Sequence, residues 1–62
     1  MRIRELRKKA GLTVTQLADR TGVTHPSVVA WEQGRKLPSA DKLPVIAAAL
    51  GCKIDDLFAD AS

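Results

Sequence analysis

The four glycines of this chain divide it into short segments of helical pattern. Each glycine directly follows such a segment: Gly11, Gly22, Gly34 and Gly51. Glycine is favoured just after a helix because that position adopts a left-handed backbone, which residues with a Cβ reach only at a cost. The sequence therefore predicts a fold built from several short helices.

Between residues 12 and 34 the pattern indicates two helices joined by a turn at Gly22. The first helix begins with a capping box, in which the Thr13 hydroxyl accepts from the Gln16 amide while the Gln16 side chain accepts from the Thr13 N–H. Its predicted inward stripe consists of Leu17, Ala18 and Thr21. The pair of helices and the turn between them form the pattern of a helix-turn-helix.

The second helix of this pattern is predicted over residues 25–33. Its N-cap is Thr24 or His25, because Pro26 suits the first helical position and disfavours helical backbone at the residue before it. Val28 and Trp31 share one face, and this phase assigns Trp31 to the core rather than to base stacking. The opposite face carries His25, Pro26, Val29, Ala30 and Gln33.

The first predicted helix of the chain is amphipathic and basic. Ile3, Leu6 and Ala10 recur at helical spacing and are predicted to face the core. The outer face carries Arg2, Arg4, Lys8 and Lys9. This basic series fits a solvated helix surface as well as it fits contact with a partner.

Two further helices are predicted after Pro38. The fourth begins with Ser39 as N-cap, and Pro44 makes its first turn irregular because proline lacks the N–H that would bond Ala40. Its inward stripe is Leu43, Ile46, Ala47 and Leu50. A last short helix contains Ile54, Leu57 and Phe58, with Cys52 before it as a small buried hydrophobe and a frayed tail at residues 59–62.

Charge is unevenly distributed along the chain. Residues 1–38 hold eight basic and three acidic side chains, a net charge of +5, whereas residues 39–62 hold two basic and four acidic ones, a net charge of −2. The basic part contains the helix-turn-helix pattern. This arrangement indicates a polyanionic partner, most simply nucleic acid, although basic residues that only solvate helices would give the same count.

Length and composition argue against several other functions. A chain of 62 residues is predicted to form a single domain with little room for a catalytic cleft. A single cysteine excludes an internal disulfide, and no apolar run approaches about 18 residues, so a cytoplasmic protein without a membrane segment is expected. No nucleophile-and-base pair, metal-ligand spacing or glycine-rich phosphate loop is found, and we expect no enzyme, cofactor, metal or small-molecule ligand.

Five sequence segments resemble, in order and spacing, the phage-repressor/Cro (XRE) type of helix-turn-helix DNA-binding domain. They are Gly11-Leu12-Thr13 with Gln16-Leu17-Ala18, Gly22-Val23-Thr24, Trp31-Glu32-Gln33-Gly34, Pro38-Ser39, and residues 47–51 followed by residues 54–58. The resemblance covers nearly the whole chain. It implies a compact, all-α, five-helix domain like that of lambda repressor, with the helix-turn-helix at helices 2 and 3.

The resemblance also implies a role for individual residues. In this family the third helix lies in the major groove with its first turns facing base edges. Base reading is thereby implied for Thr24, His25, Pro26, Ser27, Val29 and Ala30. Contact with DNA phosphates is implied for Thr13, Val14, Gln33, Arg35 and Lys36. A structural ion pair is implied between Arg7 and Glu32, and it agrees with the helix dipole, which disfavours a carboxylate in the last turn of a helix unless a cation is near.

The chain departs from the family pattern at two places. Val14 stands where the family often has a glutamine that braces the recognition helix and a phosphate. No side-chain donor or acceptor is present at Pro26, Val29 or Ala30. Either these residues contact thymine methyl groups, or recognition depends on DNA shape.

Two functions follow from the sequence as alternatives. The first is a bacterial or phage transcriptional regulator that reads a two-fold operator as a homodimer, with dimer contacts at the last helix and Phe58. The second is a protein-interaction module, an antitoxin or a recombination accessory protein that keeps the fold but binds DNA weakly or not at all. Retention of duplex DNA at low salt separates the two.

Overall fold

A computed structural model describes residues 1–58, which form five helices and no strand. The helices are α1 (Ile3–Lys9), α2 (Val14–Thr21), α3 (His25–Glu32), α4 (Leu43–Leu50) and α5 (Ile54–Phe58). The predicted all-α, five-helix architecture is confirmed. The tail expected to fray, residues 59–62, lies outside the described residues.

The glycines end the helices as the sequence predicts. All four have φ between +69° and +75°. At Gly22 this left-handed backbone lets the Val23 N–H donate to the Ala18 carbonyl at 3.1 Å, which ends α2 and turns the chain toward α3. The helix-turn-helix geometry therefore depends on a backbone conformation that glycine adopts at little cost.

Side-chain caps begin α2 and α3. Both hydrogen bonds of the predicted capping box are present, from the Gln16 N–H to Thr13 Oγ1 at 3.0 Å and from the Thr13 N–H to Gln16 Oε1 at 2.9 Å. For α3 the N-cap is Thr24, whose Oγ1 accepts from the Ser27 N–H at 3.3 Å. His25 is then the first helical residue, and Pro26 stands at the second position instead of the first.

The core lies where the five helices meet. Each helix contributes one side chain with 0 % exposure: Ile3, Leu17, Val28, Ile46 and Leu57. Trp31, 8 % exposed, belongs to the same cluster, as its phase with Val28 predicts. Because α2 packs against both α3 and α4, the reverse face of α3 is fixed to the interior.

Two further predicted details of the fold are wrong. Ala10 is exposed, because α1 ends at Lys9 and the chain has already entered the turn at that point. The fourth helix begins at Leu43 without a cap from Ser39, since residues 40–42 form a separate turn closed by a 2.9 Å bond from the Lys42 N–H to the Ser39 carbonyl. The helix starts late because Pro44, which lacks an N–H, is tolerated only in a first turn.

Candidate nucleic-acid interface

The first turn of α3 is turned toward solvent. Thr24, His25 and Pro26 are exposed, and Ser27 and Val29 are half-buried. Val28 and Trp31 hold the opposite side of the helix in the core, at 0 % and 8 % exposure. Five of the six residues predicted to read bases therefore lie at least partly on one accessible surface.

Ala30 is the exception, and its predicted place at the surface is wrong. Its side chain is only 7 % exposed. The chain that leaves α3 folds back beside it, so that the Ala30 carbonyl accepts from the Arg35 N–H at 3.0 Å and from the Lys36 N–H at 3.3 Å. Helical phase alone cannot show this, because the covering atoms belong to the segment that follows the helix.

The returning segment and α3 enclose a small open depression, which we call the notch. It has a volume of about 220 Å³ and is lined by Pro26, Ser27, Ala30, Arg35 and Lys36. Ala30 forms its floor because that residue is the least exposed of the five. The notch thus lies between the predicted reading surface and the predicted phosphate-binding segment.

The polar groups of the reading surface differ in how far they are already engaged. The hydroxyls of Thr24 and Ser27 are 2.9 Å apart and bond each other, while Thr24 also caps the helix. His25 is exposed and makes no side-chain hydrogen bond to any residue in the range 1–58. Its ring nitrogens are therefore the most accessible side-chain donor and acceptor in this turn.

The beginning of α2 offers backbone donors that helical hydrogen bonding leaves unused. The first helical hydrogen bond runs from the Leu17 N–H to the Thr13 carbonyl, so the N–H groups of Val14 and Thr15 precede it and have no partner within the helix. The Thr13 N–H is occupied by Gln16. A phosphate here would meet the backbone of Val14 and Thr15, since the Val14 side chain is half-buried and packs against the core.

The segment after α3 carries exposed charge. Gln33, Arg35 and Lys36 are exposed. The backbone N–H groups of Arg35 and Lys36 are used by Ala30, so any phosphate contact at these two residues would be made by their side chains.

The ion pair between Arg7 and Glu32 is present and nearly buried. Arg7 Nε donates to Glu32 Oε2 at 2.6 Å, and the two side chains are 12 % and 4 % exposed. Arg7 also donates to the Leu12 carbonyl at 2.9 Å. A second arginine, Arg4, reaches the other carboxylate oxygen at 3.2 Å. Arg4 was not predicted as a partner, although its spacing of three residues from Arg7 puts both on one side of α1.

The arginines lower the pKa of Glu32. Burial by itself would raise the pKa of this carboxyl, but hydrogen bonds from Arg7 and then Arg4 outweigh burial and hold the pKa below its ordinary value. Glu32 therefore stays charged at the end of α3 and binds that helix to α1. Arg2, the N-cap of α1, is bonded to Glu5 at 3.1 Å. Arg2, Arg4 and Arg7 therefore all have partners inside the domain, which favours a structural role for them.

Two other kinds of site have no support in the part of the chain that the structure describes. Residues 1–58 contain no group of three or more His, Cys, Asp or Glu side chains that could hold a metal ion. None of the helices there has the length and apolar character needed to cross a membrane.

The family assignment agrees with this geometry. A family model described as helix-turn-helix matches residues 3–57. The chain belongs to this helix-turn-helix family. The resemblance to the XRE type is thereby confirmed, and the family is one of DNA-binding regulators, not of enzymes.

This chain is similar to helix-turn-helix regulators from several other organisms. The chain is 49 % identical over 57 residues to an uncharacterised HTH-type transcriptional regulator of Methanothermobacter thermautotrophicus, with 90 % of this chain and 83 % of the relative covered. It is 40 % identical over 57 residues to another from Archaeoglobus fulgidus, with 92 % and 81 % covered. Among solved structures, the clp gene regulator ClgR from C. glutamicum superposes with a TM-score of 0.82 at 30 % identity, covering 90 % of this chain and 73 % of that one.

Proposed function

We propose that this protein is a sequence-specific transcriptional regulator of the cytoplasm, which places the segment 25–33 in the major groove of double-stranded DNA. The observation that carries the proposal is the orientation of α3. Val28 and Trp31 hold its reverse face in the core, while Thr24, His25 and Pro26 are exposed. The family and the structural similarity to the clp gene regulator ClgR support this function.

In this proposal, different residues recognise the base sequence and provide affinity for DNA of any sequence. His25 supplies the most accessible polar group for a base edge, with Thr24, Ser27 and Val29 beside it. Arg35, Lys36, Gln33 and the beginning of α2 at Thr13 and Val14 hold phosphates and set the register of the helix in the groove.

A homodimer on a two-fold operator completes the proposal. One copy makes few phosphate contacts, so two copies are needed for useful affinity at physiological salt. The exposed apolar side chains of α5, Ile54 at 38 % and Phe58 at 56 % exposure, support this helix as the contact between copies.

Titration of mixed-sequence duplex DNA at several salt concentrations tests the function. A protein that binds through a handful of phosphates weakens with a log–log slope of roughly −3 to −5 as salt rises. Binding that does not respond to salt would contradict a phosphate-based contact, and a lack of binding at low salt would contradict the function itself.

Two variants test the division of roles. We expect Arg35→Ala to weaken binding to all sequences alike, because phosphates are the same everywhere, whereas His25→Ala should change the preference among sequences. Selection from a random DNA pool with each variant measures both effects. Equal loss on every sequence from both variants would contradict the assignment.

One observation supports a second function, that of a protein-interaction module on the same fold. The reading surface is poor in available polar groups, since Pro26 and Val29 have none and the hydroxyls of Thr24 and Ser27 bond each other. An antitoxin or a recombination accessory protein would fit such a surface. The salt titration decides between the two functions.

A further inference from the structure

A second depression, larger than the notch, lies between α1 and the turn that joins α4 to α5. We call it the junction pocket; its volume is about 400 Å³, and its lining includes Leu6, Lys9, Leu50, Cys52 and Asp56. We propose that it binds a small amphipathic carboxylate, with the apolar body of the ligand inside the pocket and its carboxylate at Lys9. None of the residues assigned to DNA lines this pocket, so the inference stands apart from the proposed function.

The two walls of the junction pocket come from opposite ends of the chain. One wall belongs to residues 2–10 and the other to residues 50–56, which is why no small-molecule ligand was expected from the sequence. Arg2 joins the walls, because its N–H donates to the Leu57 carbonyl at 2.9 Å and its Nη1 donates to the Asp56 carbonyl at 3.4 Å. The pocket is therefore already formed in the folded domain, as is usual for small-molecule sites, and its volume lies within their range of about 300–1,000 Å³.

The floor of the junction pocket is apolar. Leu6 and Leu50 are the least exposed of the lining residues, at 9 % and 8 %. Cys52 is half-buried beside them, and burial together with the nearby Asp56 raises the pKa of its thiol, so the thiol is uncharged at neutral pH. An apolar group that enters the pocket leaves water for this surface, which is favourable.

Three charged side chains line the junction pocket, and two of them have partners. Arg2 Nε donates to Glu5 at 3.1 Å, and Asp56 Oδ2 accepts from the Lys53 N–H at 3.0 Å. The exposed Lys9 side chain makes no hydrogen bond or ion pair with any residue in the range 1–58. Its ammonium group is thus the charge that a ligand can use, and a carboxylate is its natural partner.

Nuclear magnetic resonance with benzoate as the probe tests the inference on the unmodified protein. We expect saturable shifts of the backbone amide signals of residues 6–10 and 50–52, with a Kd of about 1 mM, the weak affinity of a ligand this small. Benzyl alcohol keeps the ring without the charge and should bind about threefold more weakly, the effect of one exposed ion pair. Acetate keeps the charge without the ring and should give no saturable shifts at the same concentrations.

Protein variants assign the two parts of the ligand to the pocket. Lys9→Gln should weaken benzoate about threefold and leave benzyl alcohol unchanged. Lys8→Gln is the matched control, because Lys8 is an exposed neighbour on α1 that does not line the pocket, and it should change neither. Ala10→Phe places a bulky side chain at the exposed rim and should weaken both probes at least tenfold. Circular dichroism checks that each variant folds.

Three results would overturn the inference and leave the proposed function intact. The first is amide shifts that grow with benzoate concentration without saturating, and the second is saturable shifts confined to α3. The third is an equal loss of benzoate binding in Lys8→Gln and Lys9→Gln, which would indicate general attraction to a basic surface. Because no DNA is present in these titrations, failure of the DNA-binding tests would not alter their outcome.

Discussion

Glu32 occupies an unfavourable place for a carboxylate, because it lies in the last turn of α3 and its side chain is 4 % exposed. Two arginines from α1 compensate for both costs. Arg7 contributes a nearly buried pair and a bond to the Leu12 carbonyl, whereas Arg4 approaches from solvent at 55 % exposure. The two partners should therefore differ in their contribution to stability.

We expect Arg7→Ala to lower the free energy of unfolding by about 3 kcal/mol, the lower end of the range for breaking a buried pair, because Arg4 remains as a partner. Arg4→Ala should lower it by less than about 1 kcal/mol, as for an exposed pair. Thermal unfolding followed by circular dichroism measures both. Equal losses would mean that Arg7 holds Glu32 no more strongly than a surface residue does.

The lowered pKa of Glu32 predicts a loss of stability in acid. The unfolded chain titrates this carboxyl near its ordinary value of 4.5, and the folded chain titrates it lower, so the folded state is the weaker proton binder. The contribution of Glu32 is fully present above pH 4.5 and is lost as the pH falls through the folded-state pKa.

Urea unfolding between pH 3 and pH 6 checks this expectation. Glu32→Gln removes the titrating group and should give a flatter dependence of stability on pH over the acid part of the range. Asp19→Asn, which removes an exposed carboxylate of α2, is the control and should follow the unmodified protein more closely. The expectation fails if Glu32→Gln keeps the full acid dependence.

At the scale of helices, sequence reasoning succeeded where the cause is local. The capping box of α2 and the left-handed glycines involve groups a few residues apart, so spacing alone predicts them. It failed at Ala30, where the outcome depends on the chain that folds back after α3. It also failed at the start of α4, where Pro44 delays the helix. Five of the six residues predicted to read bases are at least partly accessible, but the notch was not foreseen.

Gly22 joins the two helices of the helix-turn-helix, and its replacement tests the backbone directly. A Cβ at this position would meet no atom within 4 Å, so crowding cannot explain any effect. We expect Gly22→Ala to lower the free energy of unfolding by about 1–2 kcal/mol because φ is +70° there. Gly22→Asn should cost less, since asparagine tolerates left-handed backbone better.

Urea unfolding of the two variants measures this difference in stability. Because the turn sets the orientation of α3, the substitutions should also affect DNA binding. An alanine variant as stable as the unmodified protein would show that the left-handed turn is not what ends α2.

At the scale of the whole molecule, the proposed DNA contacts and the proposed contact between copies lie on different elements. The exposed Phe58 and Ile54 lie in α5, whose first turn carries Asp55 and Asp56, while the basic loop at Arg35 and Lys36 follows α3. Contact between copies at α5 would use neither α3 nor this loop. Such an arrangement suits two half-sites related by a two-fold axis.

Phe58→Glu tests this arrangement, because Phe58 is 56 % exposed and its replacement should disturb contact between copies more than folding. We expect the unmodified protein to sediment as a dimer at high concentration and the variant to sediment as a monomer. The variant should bind a two-half-site duplex at least tenfold more weakly, roughly 1.4 kcal/mol, yet bind a single half-site as before. Leu37→Ser, which removes an apolar side chain that is 77 % exposed but lies outside α5, is the control for sedimentation and should remain dimeric. A monomer at high concentration that also binds DNA one copy at a time would contradict the dimer, because neither the operator symmetry nor α5 would then contribute to recognition.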